Sequence, residues 1–221
     1  YIEECKKMGI ALLPPDINEG YGHFSVSDGK IRFGLAAIKN VGRGVVNALV
    51  AEREKSGFFQ SMTDFCTRME TGDINKRSIE SLIKAGALDS VGGARSQYMA
   101  IYKSILDGIG QARKNNIAGQ MNLFDIDMGE ESYKPQDDLP DVEEYTPRDR
   151  LALEKEVLGI YVSGHPLAEY EGKLRLKISH SSIDFLPVEE GDERQQVAEE
   201  TKVIIGGMIA GVSVKYTRNN D

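Results

Sequence analysis

Hydrophobic and polar positions change period several times along the chain, and each change predicts an element. Phe24-Ser25-Val26-Ser27 and Lys30-Ile31-Arg32-Phe33 alternate on either side of Asp28-Gly29. Asp-Gly suits the positive φ angles of a two-residue type I′ turn, so a β-hairpin is expected. Its register sets Val26 opposite Ile31 and Phe24 opposite Phe33 on one face, with Ser25 and Arg32 on the other. Upstream, residues 1–8 read as a helix end, closed by Gly9 and then Pro14-Pro15.

Downstream the period becomes helical. A short apolar helix over Leu35, Ala36 and Ala37 runs into a turn punctuated by Gly42 and Gly44, and a longer helix leaves through Val45, Ala48, Leu49 and Glu52. Ser61-Met62-Thr63-Asp64 has capping-box spacing, with Asp in place of Glu, and opens a helix around Phe65. Asn75 caps a helix carrying Ile79, Leu82 and Ile83, which Gly86 stops. After Gly92-Gly93, Tyr98, Ile101, Tyr102, Ile105 and Ile109 recur at the spacing of a long helix and read as core. Periodicity fades from Asn115, and 126–147 reads as an acidic, proline-containing linker. Order resumes at 151–159, and the apolar, glycine-kinked run 203–214 reads as a β-strand opening a small barrel. The expected class is α+β, mainly α.

At 221 residues the chain allows one or two domains. Cys5 and Cys66 lack metal or disulfide spacing and read as reduced thiols of a cytoplasmic protein. No stretch approaches a membrane span, and no basic, apolar leader opens the chain. A start without Met and a polar end suggest a piece of a longer protein.

The net charge of −8 is unevenly placed. Residues 1–115 carry 16 Lys and Arg against 13 Asp and Glu, whereas 116–221 carry 11 against 22. Within 125–144, nine acids face the single base Lys134. Lys30, Arg32, Lys39, Arg43, Arg53 and Lys55 outnumber Glu52 and Glu54 in the 30–60 segment. That permits polyanion binding there and argues against it elsewhere; charge alone equally describes a solvated helix face.

Ile38-Lys39-Asn40-Val41-Gly42-Arg43-Gly44, an apolar-x-Gly-x-Gly turn between helices, is a helix-hairpin-helix pattern. Its glycines would let the backbone turn tightly and leave no side chain between the amides and an approaching anion. Free N–H groups from Gly42 to Val45 would meet a DNA phosphate at the positive end of the helix dipole, with Lys39 and Arg43 adding charge. Such contacts hold a duplex without reading its sequence. The alternative is an ordinary packing corner. A second, weaker copy spans 82–95. Its turn holds Asp89 and looks more structural, although Arg95 is a candidate DNA contact if the two copies each touch one strand.

Gln120-Met121-Asn122-Leu123-Phe124 pairs a polar anchor with two adjacent large apolar groups that no single helix or strand face can bury together. Acidic sequence follows, so the stretch has the composition of a docking peptide; the alternative is that Leu123 and Phe124 fold onto the chain's own core. Catalytic patterns are missing: His23, His165 and His180 have no metal-ligand spacing, and no GxxxxGK[ST], GxSxG or HExxH occurs. The acid pairs Asp125/Asp127 and Glu154/Glu156 read as solvated linker and helix surface.

With these pieces located, the chain closely resembles the C-terminal half of bacterial replicative DNA polymerase III alpha subunits, the C family. Tyr1-Ile2-Glu3-Glu4-Cys5, Leu13-Pro14-Pro15-Asp16-Ile17-Asn18, Ile31-Arg32-Phe33-Gly34-Leu35, the 38–44 hairpin, Leu82-Ile83-Lys84-Ala85-Gly86-Ala87 and Glu156-Val157-Leu158-Gly159-Ile160-Tyr161-Val162-Ser163-Gly164-His165-Pro166 carry the resemblance, in the family's order. It implies that 1–34 ends the fingers region, 35–115 is a tandem helix-hairpin-helix domain holding double-stranded DNA, and 116–147 contains the clamp-binding peptide and acidic linker. Residues 148–200 would connect to 201–221, the start of a truncated oligonucleotide-binding (OB) barrel. Gln120 would fill a polar pocket of the sliding clamp (beta subunit), and Leu123 and Phe124 a hydrophobic groove. Other replisome subunits are implied partners; a membrane is not. The resemblance implies no cofactor in this stretch, the Mg2+ of the parent polymerase belonging to palm aspartates absent from it. This stretch would be inactive alone, with 3'-5' exonuclease activity not expected. Two other readings are a helix-hairpin-helix repair enzyme, which needs an acid or lysine beside the hairpin, and a structural DNA-binding scaffold.

Overall fold

The computed structural model describes residues 4–5, 8–69, 74–117, 137–185, 197–209 and 211–214, with backbone alone at 112–117 and at residue 183. The chain divides into two compact units, Tyr1–Gly164 and His165–Asp221.

The first unit opens with a small sheet of order β1-β3-β2. β2 (Ser25–Ser27) and β3 (Lys30–Arg32) pair antiparallel with Val26 opposite Ile31, the expected register. Asp28 and Gly29 both adopt positive φ, as the tight turn requires. Phe24 and Phe33 meet edge to face at 4.6 Å. β1 (Leu12–Leu13) joins in parallel on the other side of β3; two residues ahead of Pro14-Pro15 leave no periodicity to read. Burial on the hairpin departs from what its pattern suggests. Phe24 and Val26 are exposed, whereas Arg32 turns inward, donates to the Pro14 carbonyl at 3.1 Å and pairs with Glu19.

The expected short helix is a single 3-10 turn at Leu35–Ala37. It follows Gly34, where a Cβ would stand 2.7 Å from the His23 carbonyl carbon, so no side chain fits. Then come α1 (Arg43–Ser56), α2 (Met62–Arg68), α3 (Lys76–Lys84), α4 (Arg95–Ile117) and α5 (Pro147–Leu158). Their starts follow the local signals. The Ser61 hydroxyl accepts from Asp64 N–H, and the Asn75 side chain from Ser78 N–H. The capping box is offset by one residue, because the Asp64 carboxylate accepts from Gln60 N–H. Thr146 caps α5 with Pro147 in its first turn, and Gly159 closes it at φ 76. Gly86 ends α3 at φ 77.

One apolar core runs through these helices, from Ile17, Leu35 and Ile38 through Leu49, Phe59, Phe65, Ile79 and Leu82 to Tyr98, Tyr102 and Val157. Buried polar groups fix how the sheet end meets it. The Asn18 side chain exchanges two hydrogen bonds with the Phe59 backbone, at 2.9 and 2.8 Å. Arg53 lies on the buried face of α1 and donates to the Ile17 and Gly20 carbonyls, each at 2.8 Å. Arg32 and Arg53, counted above among bases that permit polyanion binding, are therefore committed to the fold.

Where the sequence predicts a solvated acidic linker, residues 137–146 form a strap against the helices. The Asp137 carboxylate accepts from Met62 and Thr63 N–H at the start of α2, both at 2.8 Å. Glu144 accepts from Arg95 and Ser96 N–H at the start of α4. Acids satisfy exposed helix amides and oppose the positive dipole end, so a strongly acidic run need not be solvent-facing. The boundaries expected after residues 34, 115 and 147 all fall inside this unit.

The second unit contains α6 (Glu171–Arg175), preceded by a 3-10 turn at Ala168–Tyr170 and followed by another at Ser182–Phe185. The 203–214 run, read from sequence as a strand, has no strand among its described residues. Ile204 exchanges bonds with Ser179, its N–H donating to the hydroxyl and its carbonyl accepting Ser179 N–H. Ile209 and Val212 are more than 80% exposed. A strand needs a neighbour to pair with its backbone along its length, and here the backbone donors Ser179 and His180 N–H both meet the Ile204 carbonyl alone.

Candidate nucleic-acid interface

The 38–44 hairpin stands between α3 and α5. Its backbone is tied to the end of α5 by Lys39 N–H donating to the Val157 carbonyl at 2.9 Å. The tight bend falls on Asn40, at φ 65, and not on the glycines, since Gly42 is extended at φ −73. Asparagine tolerates the left-handed region better than other residues with a Cβ. Two bonds to α3 lock it there: Asn40 Nδ2 donates to Ser81 Oγ at 3.1 Å, and Ser78 Oγ donates to the Asn40 carbonyl at 2.8 Å.

Freed from the bend, Gly42 and Gly44 have another consequence. A Cβ at either would meet nothing within 4 Å, so both open onto solvent. No side chain caps α1, whose first helical bond is Val46 N–H to the Gly42 carbonyl. The amides of Arg43, Gly44 and Val45 therefore lack intrahelical acceptors. Lys39 and Arg43 are exposed beside them, and among the described residues neither forms an ion pair. Val41 and Val45 point their side chains into the core, so they contribute through backbone alone.

The second hairpin has the opposite character. The four amides from Gly93 to Ser96 are already bonded. Gly93 N–H donates to Tyr98 Oη at 2.6 Å, and Ala94 N–H to Gln97 Oε1 at 2.9 Å. Arg95 and Ser96 N–H donate to Glu144 at 2.9 and 3.2 Å. Arg95, a candidate DNA contact above, is 3% exposed. Its guanidinium holds Asp89 at 2.7 Å and Glu154 at 3.2 Å. Burial opposes the charge, but Asp89 and then Glu154 outweigh it and raise the pKa. Arg95 is thus a structural cation, since charge desolvated against two carboxylates cannot also meet a phosphate. Glu154, read from sequence as helix surface, is fully buried and also accepts from Val162 and Ser163 N–H. Its spacing with Leu151 and Val157 on one helix stripe was the signal available.

Beside the first hairpin, α3 carries Arg77, exposed on its first turn, and Lys84. Lys84 bonds Glu80 at 2.9 Å and Glu156 at 2.8 Å. Its pKa is raised because the two carboxylates outweigh desolvation, and the Lys84 bond in turn holds Glu80 below the usual range. These acids beside the hairpin are both ion-paired with Lys84. Among the described residues no cluster of His, Cys, Asp and Glu could hold a metal ion, and no helix is long and apolar enough to cross a membrane. Gln120, Met121, Asn122, Leu123 and Phe124 lie outside the described residues.

Helices meeting at a glycine hairpin with a bare amide end define a helix-hairpin-helix protein, and residues 9–98 match the family described as the helix-hairpin-helix motif. Over almost its whole length the chain also aligns with longer proteins. It is 38% identical to DNA polymerase III subunit alpha of Saccharopolyspora erythraea, over 99% of this chain and 18% of that protein. The corresponding protein of Deinococcus radiodurans is 37% identical over 99% and 16%. That of Vibrio cholerae is 41% identical over 76% and 15%. The chain belongs to the DNA polymerase III alpha-subunit family and spans less than a fifth of the length of these relatives.

Proposed function

We propose that this chain is the part of a replicative DNA polymerase that grips double-stranded DNA and ties the enzyme to a sliding clamp for processive synthesis. The observation that carries the DNA half is the bare start of α1. Each of α2, α3, α4 and α5 has a side-chain acceptor on at least one amide of its first turn, whereas α1 has none and presents its amides between two open glycines and two free cations. A backbone phosphate satisfies those amides and the dipole together. Contacts of this kind do not depend on base sequence.

Gln120-Met121-Asn122-Leu123-Phe124 supplies the tether in this reading, with Gln120 as anchor and Leu123 and Phe124 as the apolar contacts. Its flanks support the role: α4 precedes it, and the strap resumes at Asp137, held on α2. A peptide joined on both sides to a DNA-gripping unit raises the effective concentration of polymerase at the clamp. Metal-assisted nucleotide addition would belong to other parts of the polymerase, which also meet other replisome subunits.

Two substitutions test the halves separately. Gly42→Asp places a carboxylate on the amide end, where the structure has room for it, and should abolish binding to duplexes of any sequence with the fold intact. Retained duplex affinity would make the hairpin a packing corner. Leu123→Ala with Phe124→Ala should remove clamp binding and leave duplex binding unchanged; calorimetry showing undiminished clamp affinity would refute the tether.

A further inference from the structure

The second hairpin's amides from Gly93 to Ser96 are satisfied internally, which raises the question of what else on this unit could hold the duplex that the first hairpin grips. A cleft of about 310 Å³ opens beside that hairpin, lined by Lys39, Asn40, Arg77, Ser81 and the Glu80–Lys84–Glu156 ion-paired group. Its two carboxylates are both bonded to Lys84, and Glu80 also accepts from Tyr102 Oη at 3.2 Å. Lys39 and Arg77 are therefore the lining cations whose charge no partner offsets among the described residues. Neighbouring bases on α3 differ in this respect, since Lys76 is paired with Asp107 at 2.6 Å.

The position of Arg77 is set by the same contacts that shape the hairpin. Ser78 and Ser81, one and four residues after it on α3, hold Asn40. Arg77 is thus carried on a helix fixed to the turn that presents the bare amides, and its guanidinium faces solvent across the cleft from Lys39. A guanidinium with no carboxylate partner, fixed beside an anion-binding helix end, suits bidentate contact with a phosphate.

We infer that Arg77, with Lys39, makes a second contact with the sugar-phosphate backbone of the same duplex, so that the DNA footprint runs from the start of α1 across the cleft onto α3. This rests on the proposed DNA grip. A single helix end fixes one phosphate but leaves the duplex free to pivot about it; a second contact on a different helix fixes its direction.

The test measures binding of the 221-residue chain to a blunt duplex of mixed sequence over a series of salt concentrations. Arg77→Ala should weaken binding equally for unrelated sequences and make the slope of log affinity against log salt shallower by about one. Arg77→Lys should restore most of the slope. Lys55→Ala removes one charge at the far end of α1, about 18 Å from its start at 1.5 Å per residue, and should leave the slope unchanged. If Arg77→Ala and Lys55→Ala give the same slope while Gly42→Asp abolishes binding, the second contact is refuted and the hairpin grip stands. If Gly42→Asp binds normally and Arg77→Ala loses the slope, the α3 contact stands and the hairpin grip falls. If neither change matters, both fall.

Discussion

The Arg95 guanidinium and the Glu154 carboxylate meet at 3.2 Å inside the helical unit, joining the start of α4 to the middle of α5 across 59 residues of sequence. Removing Glu154 leaves Arg95 with Asp89 alone and strands the Val162 and Ser163 N–H groups, each costing about 1–3 kcal/mol if it stays unmet. Glu154→Ala should therefore lower the urea midpoint sharply. Glu154→Gln, whose amide oxygen can still accept from Val162 and Ser163 N–H, should lose less. A Glu154→Ala protein as stable as the parent would mean that the pair is open to solvent in solution.

The strap makes stability depend on acid. Desolvation pushes the Glu144 carboxyl upward, but N–H donors from Arg95, Tyr145 and Ser96, helped by Arg150, outweigh it and hold it below the usual carboxylate range. A depressed carboxylate stabilises the fold at pH values above its unfolded pKa, and that contribution disappears as pH falls through the folded value. Glu144→Gln should thus be less stable than the parent at pH 7, and the gap should begin to narrow as pH falls below the ordinary glutamate value of about 4.3. Paired denaturation curves at several pH values decide it; a gap that does not narrow as pH falls would contradict the assignment.

Asn40 should be the sensitive residue of the first hairpin. A Cβ-bearing residue without a polar side chain pays roughly 1–2 kcal/mol for left-handed backbone, and Asn40→Ala also removes the bond to Ser81. Asn40→Ala should be destabilised by at least that amount, and Asn40→Gly by less. Thermal unfolding of the two variants side by side checks the order.

Cys66 should be inert in the native protein. Burial, and secondarily the Asp137 charge, pushes its thiol up to about 12, so almost no thiolate exists at neutral pH. A thiol reagent at pH 8 should modify Cys5 alone, and Cys66 only after denaturant is added. Rapid native labelling at Cys66 would show that the strap opens readily.

Much of the fold was legible because it is local. The Asp28-Gly29 turn, the Ser61 and Asn75 caps and the Gly86 stop depend on backbone angles and donors within three or four residues, and each stands where the pattern put it. Side-chain roles were less legible. Arg95 and Arg43 are both basic residues at helix starts, yet one is buried among carboxylates and the other is exposed. The glycines at 42 and 44 were identified correctly as special, but for the wrong reason in part: the bend belongs to Asn40, and their contribution is the absence of a side chain over the amides. The 203–214 run shows the limit of periodicity, since apolar content can suggest a strand but cannot supply its neighbour.

By itself, then, the sequence determined the hairpin register, the ends of several helices and the family, because these follow from short-range stereochemistry and matching residues. The tertiary structure alone decided which helix start remains open. Glu144 comes from 49 residues away to cover Arg95 N–H, and Asp137 from 75 residues away to cover Met62 N–H, while nothing among the described residues covers α1. Whether an amide is available to a ligand depends on every group that can reach it, and that is a property of the packed chain.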